Sequence, residues 1–321
     1  MRILLAQSAR WRCLNLSIDF NSFGKFSELG RFEKLCFDER NVSMGQMKTL
    51  NLSISSVDPD HELFGALAFC PSLESLSYMF SFFFKESYSS EIPPQLSETV
   101  RSLSVLIERG HLVPETFSLL MDAACFPALQ EMSINYQGLY KDTLWPQDKV
   151  TSFLLRSGCS LTTLEIENAD ISNDNLVAFL VNTPQLRRFN FYEKHTERRK
   201  IEKGFKVHVL DHMSFIARLH AYGDIEGHGD PHAFTNPLVP KLEHLSLCVL
   251  ADWFNSDQLF IDVVCSRWSP EPSVVAMTGI ECLKSVKLKV LGRTLKEEVY
   301  RPLIQLRKAG LQVDLICDTE H

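Results

Sequence analysis

Four copies of one phrase organise the chain: Pro71-Ser-Leu73-Glu-Ser-Leu76-Ser-Tyr78, Pro127-Ala-Leu129-Gln-Glu-Met132-Ser-Ile134, Pro184-Gln-Leu186-Arg-Arg-Phe189-Asn-Phe191 and Pro240-Lys-Leu242-Glu-His-Leu245-Ser-Leu247. Their prolines lie 56, 57 and 56 residues apart. A fixed period of this kind is typical of a stacked repeat, in which each unit buries its apolar face against its neighbours. The repeat therefore predicts the fold before any local motif is considered.

Copies without the proline halve this period to about 28 residues. They are centred on Leu103 and Leu164, with a weaker candidate strand at Ile216-Ala-Arg-Leu219-His-Ala221. Looser copies lie towards the two ends of the chain: Trp11-Leu14-Leu16, Phe32-Leu35-Phe37, Met47-Leu50-Leu52, Leu283-Val286-Leu288 and Leu311-Val313-Leu315. Each copy ends in alternating apolar and polar residues, which is the pattern of a strand.

Helical patterns follow several of the strands. Ser172 is placed to cap a helix whose apolar residues include Leu176 and Phe179, and Thr183-Pro184 is placed to end it. A second helix is predicted to start near Pro114.

Near the end of the chain, Thr294-Leu-Lys-Glu297 matches a capping box. Pro302 is expected to kink or split the helix that follows, and Gly310 to end it.

A strand, a turn and a helix repeated in this way predict an α/β fold. We expect a repeat solenoid with a curved parallel sheet on its concave side and helices on its convex side. The prediction is one domain over 1–321, with irregular repeats in 1–68, regular repeats in 69–248 and an insert with a capping repeat in 249–321. Three long inserts break the period, at 193–212, 222–240 and 250–280, and loops of such length are functional or disordered.

At these residues the chain resembles leucine-rich repeats, whose strand signature is L-x-x-L-x-L. The unit of about 28 residues is similar to the ribonuclease-inhibitor class, and Leu161, Leu164, Ile166 and Ile171 fall on its repeat positions. Ala169 stands where that class usually has Asn or Cys. Cys70-Pro71-Ser-Leu73-Glu-Ser-Leu76 is similar to a junction found in F-box leucine-rich-repeat proteins, and the whole chain looks like the substrate-binding part of fungal F-box proteins.

That resemblance implies a role in presenting substrates to a ubiquitin ligase. It implies the Skp adaptor and a cullin as partners only if an F-box is present upstream, because the chain starts at Met1 inside the lead-in to the first repeat. We expect that the chain is either a fragment of a longer product or acts without the adaptor.

Composition limits the other classes of function. No apolar run approaches the length of a membrane span, and the N-terminus lacks a secretory signal. The net charge of −7 argues against general nucleic-acid binding. Nine cysteines without a C-x-x-C pair fit reduced thiols, so a cytoplasmic or nuclear location is expected. The basic run from Arg187 to Lys206 is interpreted as a solvated loop face, as a nuclear-import signal or as a site for an acidic partner.

No motif for catalysis, phosphate or dinucleotide binding is present, so we predict no catalytic residues, no cofactor and no enzymatic activity. The histidine-rich stretch from His208 to His232 is the nearest approach to a metal site. Its spacing matches no standard zinc site, so no metal ligands are predicted.

Function is expected on the concave strand face, where the residues between the apolar positions would point. In the first half these residues are small and neutral, which is also what any crowded strand face tolerates. In the second half charged residues appear among them, beside neutral ones such as Ser246 and Cys248. The candidate partner-binding residues are Glu131, Glu165, Glu167, Arg188, Asn190, Tyr192, His244, Lys287 and Lys289.

Three functions remain open at this point. The first is a non-catalytic protein that binds another protein, similar to the recognition part of an F-box subunit. The second is a free-standing scaffold or inhibitor unrelated to ubiquitin. The third is a metal protein or enzyme that uses His208–His232.

Overall fold

The structure is a computed structural model that describes residues 12–18, 46–54, 67, 70–80, 95–107, 113–137, 145–169, 171–193, 212–220, 237–251, 254, 257–270 and 272–318. The chain divides into two compact units, 1–160 and 161–321. Each unit contains a parallel sheet and helices, so the predicted α/β class is confirmed. The predicted copy of the strand phrase at Phe32 lies outside the described residues.

The described strands of the first unit are β1 (Cys13–Ile18), β2 (Thr49–Ile54), β3 (Ser75–Phe80), β4 (Gln95–Leu96), β5 (Ser102–Ile107), β6 (Ala124–Cys125) and β7 (Glu131–Tyr136). Strands β1, β2, β3, β5 and β7 pair in that order, and every pair is parallel. The short strands β4 and β6 form a separate parallel pair. The predicted alternation is confirmed, because Leu76, Tyr78 and Phe80 are buried while Ser75, Ser77 and Met79 are half-buried.

A repeated backbone contact joins most pairs of neighbouring strands. The carbonyl of the residue just before a strand accepts two N–H groups, one from the residue before the next strand and one from that strand's first residue. In the first unit the accepting carbonyls belong to Arg12, Lys48, Glu74 and Arg101. In the second unit Thr162, Arg187 and Glu243 accept in the same way. The copies of the phrase therefore align one above the other in strict register within each unit.

Two helices of the first unit cover the apolar face of its sheet. They are α1 (Val113–Ala123) and α2 (Gln147–Ser157). Phe117 of α1 packs edge-on against Tyr136 of β7, with ring centroids 6.3 Å apart. Helix α2 ends at Gly158, whose φ of +56° is the left-handed conformation that glycine adopts without strain.

The second unit repeats the plan with β8 (Thr163–Glu167), β9 (Arg188–Tyr192), β10 (His244–Leu250), β11 (Ser285–Leu291) and β12 (Gln312–Asp318). These strands pair in chain order, again all parallel. Phe189 and Phe191 are buried as the sequence predicts. The described helices are α3 (Asn173–Val181), α4 (His212–Arg218), α5 (Asp257–Trp268), α6 (Pro272–Thr278) and α7 (Glu297–Lys308).

Helix α3 confirms the predicted start signal. The Ser172 hydroxyl accepts a hydrogen bond from the backbone N–H of Asn175, and Leu176, Phe179 and Leu180 are buried. The helix ends before Pro184, as expected, because a residue that precedes proline avoids helical angles.

The candidate strand at Ile216–Ala221 is wrong. Ile216 lies in helix α4, which turns at Leu219, and both side chains are fully buried. Phe215 of the same helix packs against Phe189 of β9, with ring centroids 5.9 Å apart. Strands β9 and β10 pair directly, so no strand is inserted between them.

The predicted start of the last helix is also wrong. Helix α7 begins at Glu297, and Lys296 stands at its N-cap without a side-chain cap bond, so Thr294 is too early to form a capping box. Pro302 lies inside this single helix and does not split it. Gly310 follows the helix end with a φ of +112°, as its predicted role requires.

The insert predicted at 250–280 is helical, because α5 and α6 occupy much of it. The Asp257 carboxylate at the start of α5 is held by Arg293 and by the Tyr300 hydroxyl, whose oxygen is 2.6 Å from Oδ1. Arg293 also donates to the carbonyl of Phe254. These contacts fasten α5 to α7 and to the end of β11, so this segment is structural. The other two predicted inserts, 193–212 and 222–240, lie largely outside the described residues.

Arg267 of α5 is fully buried, although it carries a charge. Its guanidinium donates to the carbonyls of Leu219, Leu238 and Val239. Val239 has a φ of +46°, an uncommon conformation for a β-branched residue. Burial lowers the pKa of Arg267 to about 10, so the side chain stays charged at neutral pH. Arg267 thus joins the end of α4 to the turn before β10.

Within the described part of the chain, no helix has the length and apolar character needed to cross a membrane.

Candidate protein-binding surface

The polar face of the second unit's sheet carries most of the predicted site. Because neighbouring strands pair in register, the residues that point away from the helices align in three rows across β8 to β12. Row one is Thr163, Arg188, His244, Ser285 and Gln312; row two is Glu165, Asn190, Ser246, Lys287 and Asp314; row three is Glu167, Tyr192, Cys248, Lys289 and Ile316. We call these three rows the charged face.

Row one is a donor-rich line at the start of the strands. Arg188 is exposed, and His244 beside it is half-buried. The Nδ1 of His244 lies 2.7 Å from the Ser285 hydroxyl, and its Nε2 lies 3.8 Å from a Glu243 carboxylate oxygen. Burial lowers the pKa of His244, and the nearby Arg188 lowers it further. The imidazole is therefore neutral at pH 7, and row one carries the single positive charge of Arg188.

Rows two and three share one charge pattern. Each row has a glutamate on β8, neutral residues on β9 and β10, and a lysine on β11. In row two the Asn190 amide donates to Glu165 Oε2 at 3.4 Å. At the other end of that row, the Lys287 ammonium lies 3.9 Å from Asp314 Oδ2, and both side chains are about half exposed. The backbone register fixes the positions of the two glutamates and the two lysines along the sheet.

Tyr192 is the second residue of row three, and its side chain covers part of the neighbouring strand β10. Its hydroxyl lies 3.4 Å from the Ser246 hydroxyl, and its side chain packs against the small cluster of Cys248, Leu250 and Leu291. Ser246 and Cys248 are consequently buried, at 8 % exposure each. The prediction that they line an accessible surface is wrong, because the alternation of a strand shows only which side a residue faces and not what covers it.

Glu193 follows Tyr192 and is also buried. Its carboxylate Oε2 accepts the backbone N–H of Leu250 at 3.2 Å, and its own carbonyl accepts from the Cys248 thiol at 3.5 Å. These bonds hold the end of β9 against β10, so they keep Tyr192 in place.

A charged network borders row one, and the sequence did not predict it. Glu243 accepts from Arg187 at 2.6 Å and pairs with Lys284 at 2.8 Å. Arg187 also reaches Glu281 at 3.1 Å. The hydrogen bond from Lys284 is the largest cause that lowers the pKa of Glu243. The network aligns because Arg187, Glu243 and Lys284 each precede a strand, and this signal was present in the repeated phrase.

Two members of the predicted basic run lie at the start of β9. Arg187, just before the strand, is paired in the network, and Arg188 is its first residue. The interpretation as a loop face is therefore wrong for Arg188. The remainder of the run, from Lys194 to Lys206, lies outside the described residues.

Glu131, the remaining candidate, lies on β7 of the first unit and is exposed. Its row contains Cys13, Thr49, Ser75 and Ser102. The next row is Asn15, Asn51, Ser77, Ser104 and Ser133, in which the Asn51 amide donates to Asn15 Oδ1. This face is small and neutral as predicted, and Glu131 is its charged end.

A depression of about 520 Å³ adjoins the lysine end of the charged face. Its lining includes Ser285, Lys287, Arg307, Gln312 and Asp314. Ser285, Gln312 and Asp314 were not among the predicted site residues. The alternation Leu311-Gln-Val313-Asp-Leu315 contained the signal for the last two, because it places Gln312 and Asp314 on the same side as Lys287.

The histidine-rich segment contributes little to a site in the described part. Of its histidines, only His212 and His220 are described. Burial lowers the pKa of His220. Among the residues that the structure describes, no group of three or more His, Cys, Asp or Glu side chains could hold a metal ion.

No family model matches the chain, and no curated protein matches its sequence.

Proposed function

We propose that this chain is a non-catalytic leucine-rich-repeat protein that holds another protein on its charged face. The observation that carries the proposal is the pair of Glu…Lys rows on β8 to β11, fixed by backbone register. Charges arranged at fixed positions on a rigid sheet give specificity and faster association with a complementary surface. Tyr192 and Arg188 add two residue types that are enriched at binding hot spots.

The leucine-rich-repeat assignment is supported by the repeated phrase and by the shared carbonyl contact before each strand. Parallel strands with helices on the opposite face are the elements of such a solenoid. In a solenoid the strand face is the concave one, and concave repeat surfaces commonly bind proteins. Under this proposal the charged face is part of the concave surface.

The resemblance to F-box proteins supports a more specific role, the recognition of a substrate for a ubiquitin ligase. The alternative is a free-standing scaffold or inhibitor. Both roles use the same charged face, and they differ in whether the Skp adaptor and a cullin accompany the bound protein.

Affinity capture with a matched pair of variants tests the proposal. The face variant combines Glu165→Arg with Arg188→Glu, which leaves the net charge unchanged. The control variant combines Glu298→Arg with Arg301→Glu on the exposed side of α7, which also leaves the net charge unchanged. Thermal melting first establishes that both variants fold like the wild type. Captured proteins are then quantified by mass spectrometry.

We expect the face variant to lose at least one specific protein by about tenfold or more, and the control variant to retain it. Co-capture of the Skp adaptor and a cullin supports the ubiquitin role, and a retained partner without them supports the scaffold. Equal capture by the wild type, the face variant and the control variant would show that the charged face does not bind a protein.

A further inference from the structure

The charges of rows two and three are separated by a fixed distance. Glu165 and Glu167 lie on β8, and Lys287 and Lys289 lie on β11. Neighbouring strands are about 4.8 Å apart, so three steps across the sheet place the two glutamates about 14 Å from the two lysines. The interior of both rows, on β9 and β10, is uncharged. From β8 to β11, rows two and three thus run from acidic to basic, and Asp314 lies beyond Lys287 on β12.

On the basis of the proposed function, we infer that the partner presents a dipolar segment to this face. The segment carries a pair of cationic side chains over Glu165 and Glu167 and a pair of carboxylates over Lys287 and Lys289, about 14 Å apart. A uniformly acidic or uniformly basic segment would face like charges at one end, and such contacts are unfavourable.

The two lysines on β11 are suited to receive carboxylates. Lys287 has one carboxylate neighbour in the charged face, Asp314, at 3.9 Å with both side chains about half exposed. An exposed pair of this kind contributes little free energy, so a partner's carboxylate can replace or share it. The depression beside Lys287 leaves room for such a side chain, and Arg307, whose guanidinium donates to the Val313 carbonyl, also lines it.

The two glutamates on β8 are positioned to receive a partner's cation. The Asn190 amide orients Glu165 from the neighbouring strand, and both Glu165 and Glu167 are half-buried on a regular strand. A partner cation therefore meets two carboxylates whose backbone positions are already fixed. This arrangement lowers the ordering cost of binding at that end.

The separation also sets the spacing expected in an extended partner. An extended chain advances about 3.3 Å per residue, so 14 Å corresponds to about four residues. Alternate side chains of such a chain point to the same side. When a peptide with the pattern Lys-Ser-Lys-Ser-Glu-Ser-Glu runs across the strands, its first Lys lies at the glutamate strand and its first Glu, four residues on, lies at the lysine strand.

Two peptide isomers test the inference with the full chain. The segregated peptide has the pattern above, and the alternating peptide is Lys-Ser-Glu-Ser-Lys-Ser-Glu; both are blocked at their termini and labelled with the same fluorophore. Fluorescence anisotropy at low salt gives the affinity of each for the wild type and for two variants, Glu165→Lys with Glu167→Lys, and Lys287→Glu with Lys289→Glu. Melting curves establish that the variants are folded.

We expect the wild type to bind the segregated peptide about threefold or more tightly than the alternating one. Each double variant gives β8 and β11 charges of the same sign in rows two and three, so it should lose this preference. Equal binding of the two isomers by the wild type, or a preference that survives in both double variants, would overturn the inference. The capture experiment with the Glu165 and Arg188 variant can still succeed in that case, so a failed inference is distinguishable from a failed function.

Discussion

Replacing Arg267 with methionine should strongly destabilise the second unit. Methionine fills a similar length of the buried space but donates no hydrogen bond, so three carbonyls lose their partner: Leu219, Leu238 at 2.6 Å and Val239 at 3.1 Å. A buried polar group left unsatisfied costs about 1–3 kcal/mol. The release of a buried charge offsets part of this sum, so we expect a net loss of about 3–5 kcal/mol.

Thermal unfolding followed by circular dichroism measures the effect. For a domain of this size, 1 kcal/mol lowers the melting temperature by about 2–4 °C, so Arg267→Met should melt about 6–20 °C below the wild type. Arg301→Met makes the same substitution on the exposed side of α7 and should shift the melting temperature by no more than about 2 °C. A melting temperature for Arg267→Met within that small range would refute the view that the guanidinium holds the three carbonyls.

Three further outcomes are expected. Tyr78→Phe should stabilise the first unit by about 1 kcal/mol in urea unfolding, because the Tyr78 hydroxyl is fully buried and has no hydrogen-bond partner among the residues that the structure describes; a loss of stability would contradict this. Ser172→Ala should cost about 1 kcal/mol by removing the cap of α3, and Ser172→Asp should restore most of it. The pKa of Glu243 is lowered in the folded chain, so the Glu243 carboxylate stabilises the fold at neutral pH, and this stabilisation is lost as the pH falls from the ordinary pKa of a glutamate to the folded pKa. The destabilisation by Glu243→Gln should therefore shrink between about pH 5 and pH 3. A difference in stability that stays constant over this range would disprove the stabilising role of the carboxylate.

The strands were the most predictable part of the molecule. The phrase L-x-x-L-x-L identifies both a strand and the side on which its apolar residues lie, so the burial of Leu164 and Ile166 and the polar orientation of Glu165 follow from the sequence. The charged face could be found for the same reason. Which residues of that face are buried could not be predicted, because the burial of Cys248 depends on Tyr192 and Leu291, which lie on two neighbouring strands.

The wrong predictions have separate physical causes. A spacing of three between apolar residues, as in Ile216 and Leu219, fits one turn of a helix as well as the approach to a strand. The local pattern could not decide between them, and the direct pairing of β9 with β10 did. Pro302 is tolerated inside α7 because the carbonyl it leaves without a helical partner belongs to Glu298, on an exposed part of the helix where water can bond to it.

The carbonyl that precedes each strand bears on how such a chain changes in length. At seven junctions between neighbouring strands, two backbone N–H groups bond to one carbonyl oxygen, whatever the side chains are. Excision of residues 75–101 would bring Glu74 directly before Ser102 and recreate that junction with the strand on either side. Duplication or loss of one whole repeat therefore keeps the backbone hydrogen bonds at each junction, whereas an insertion or deletion of a few residues within the phrase leaves one carbonyl and two N–H groups without their partners.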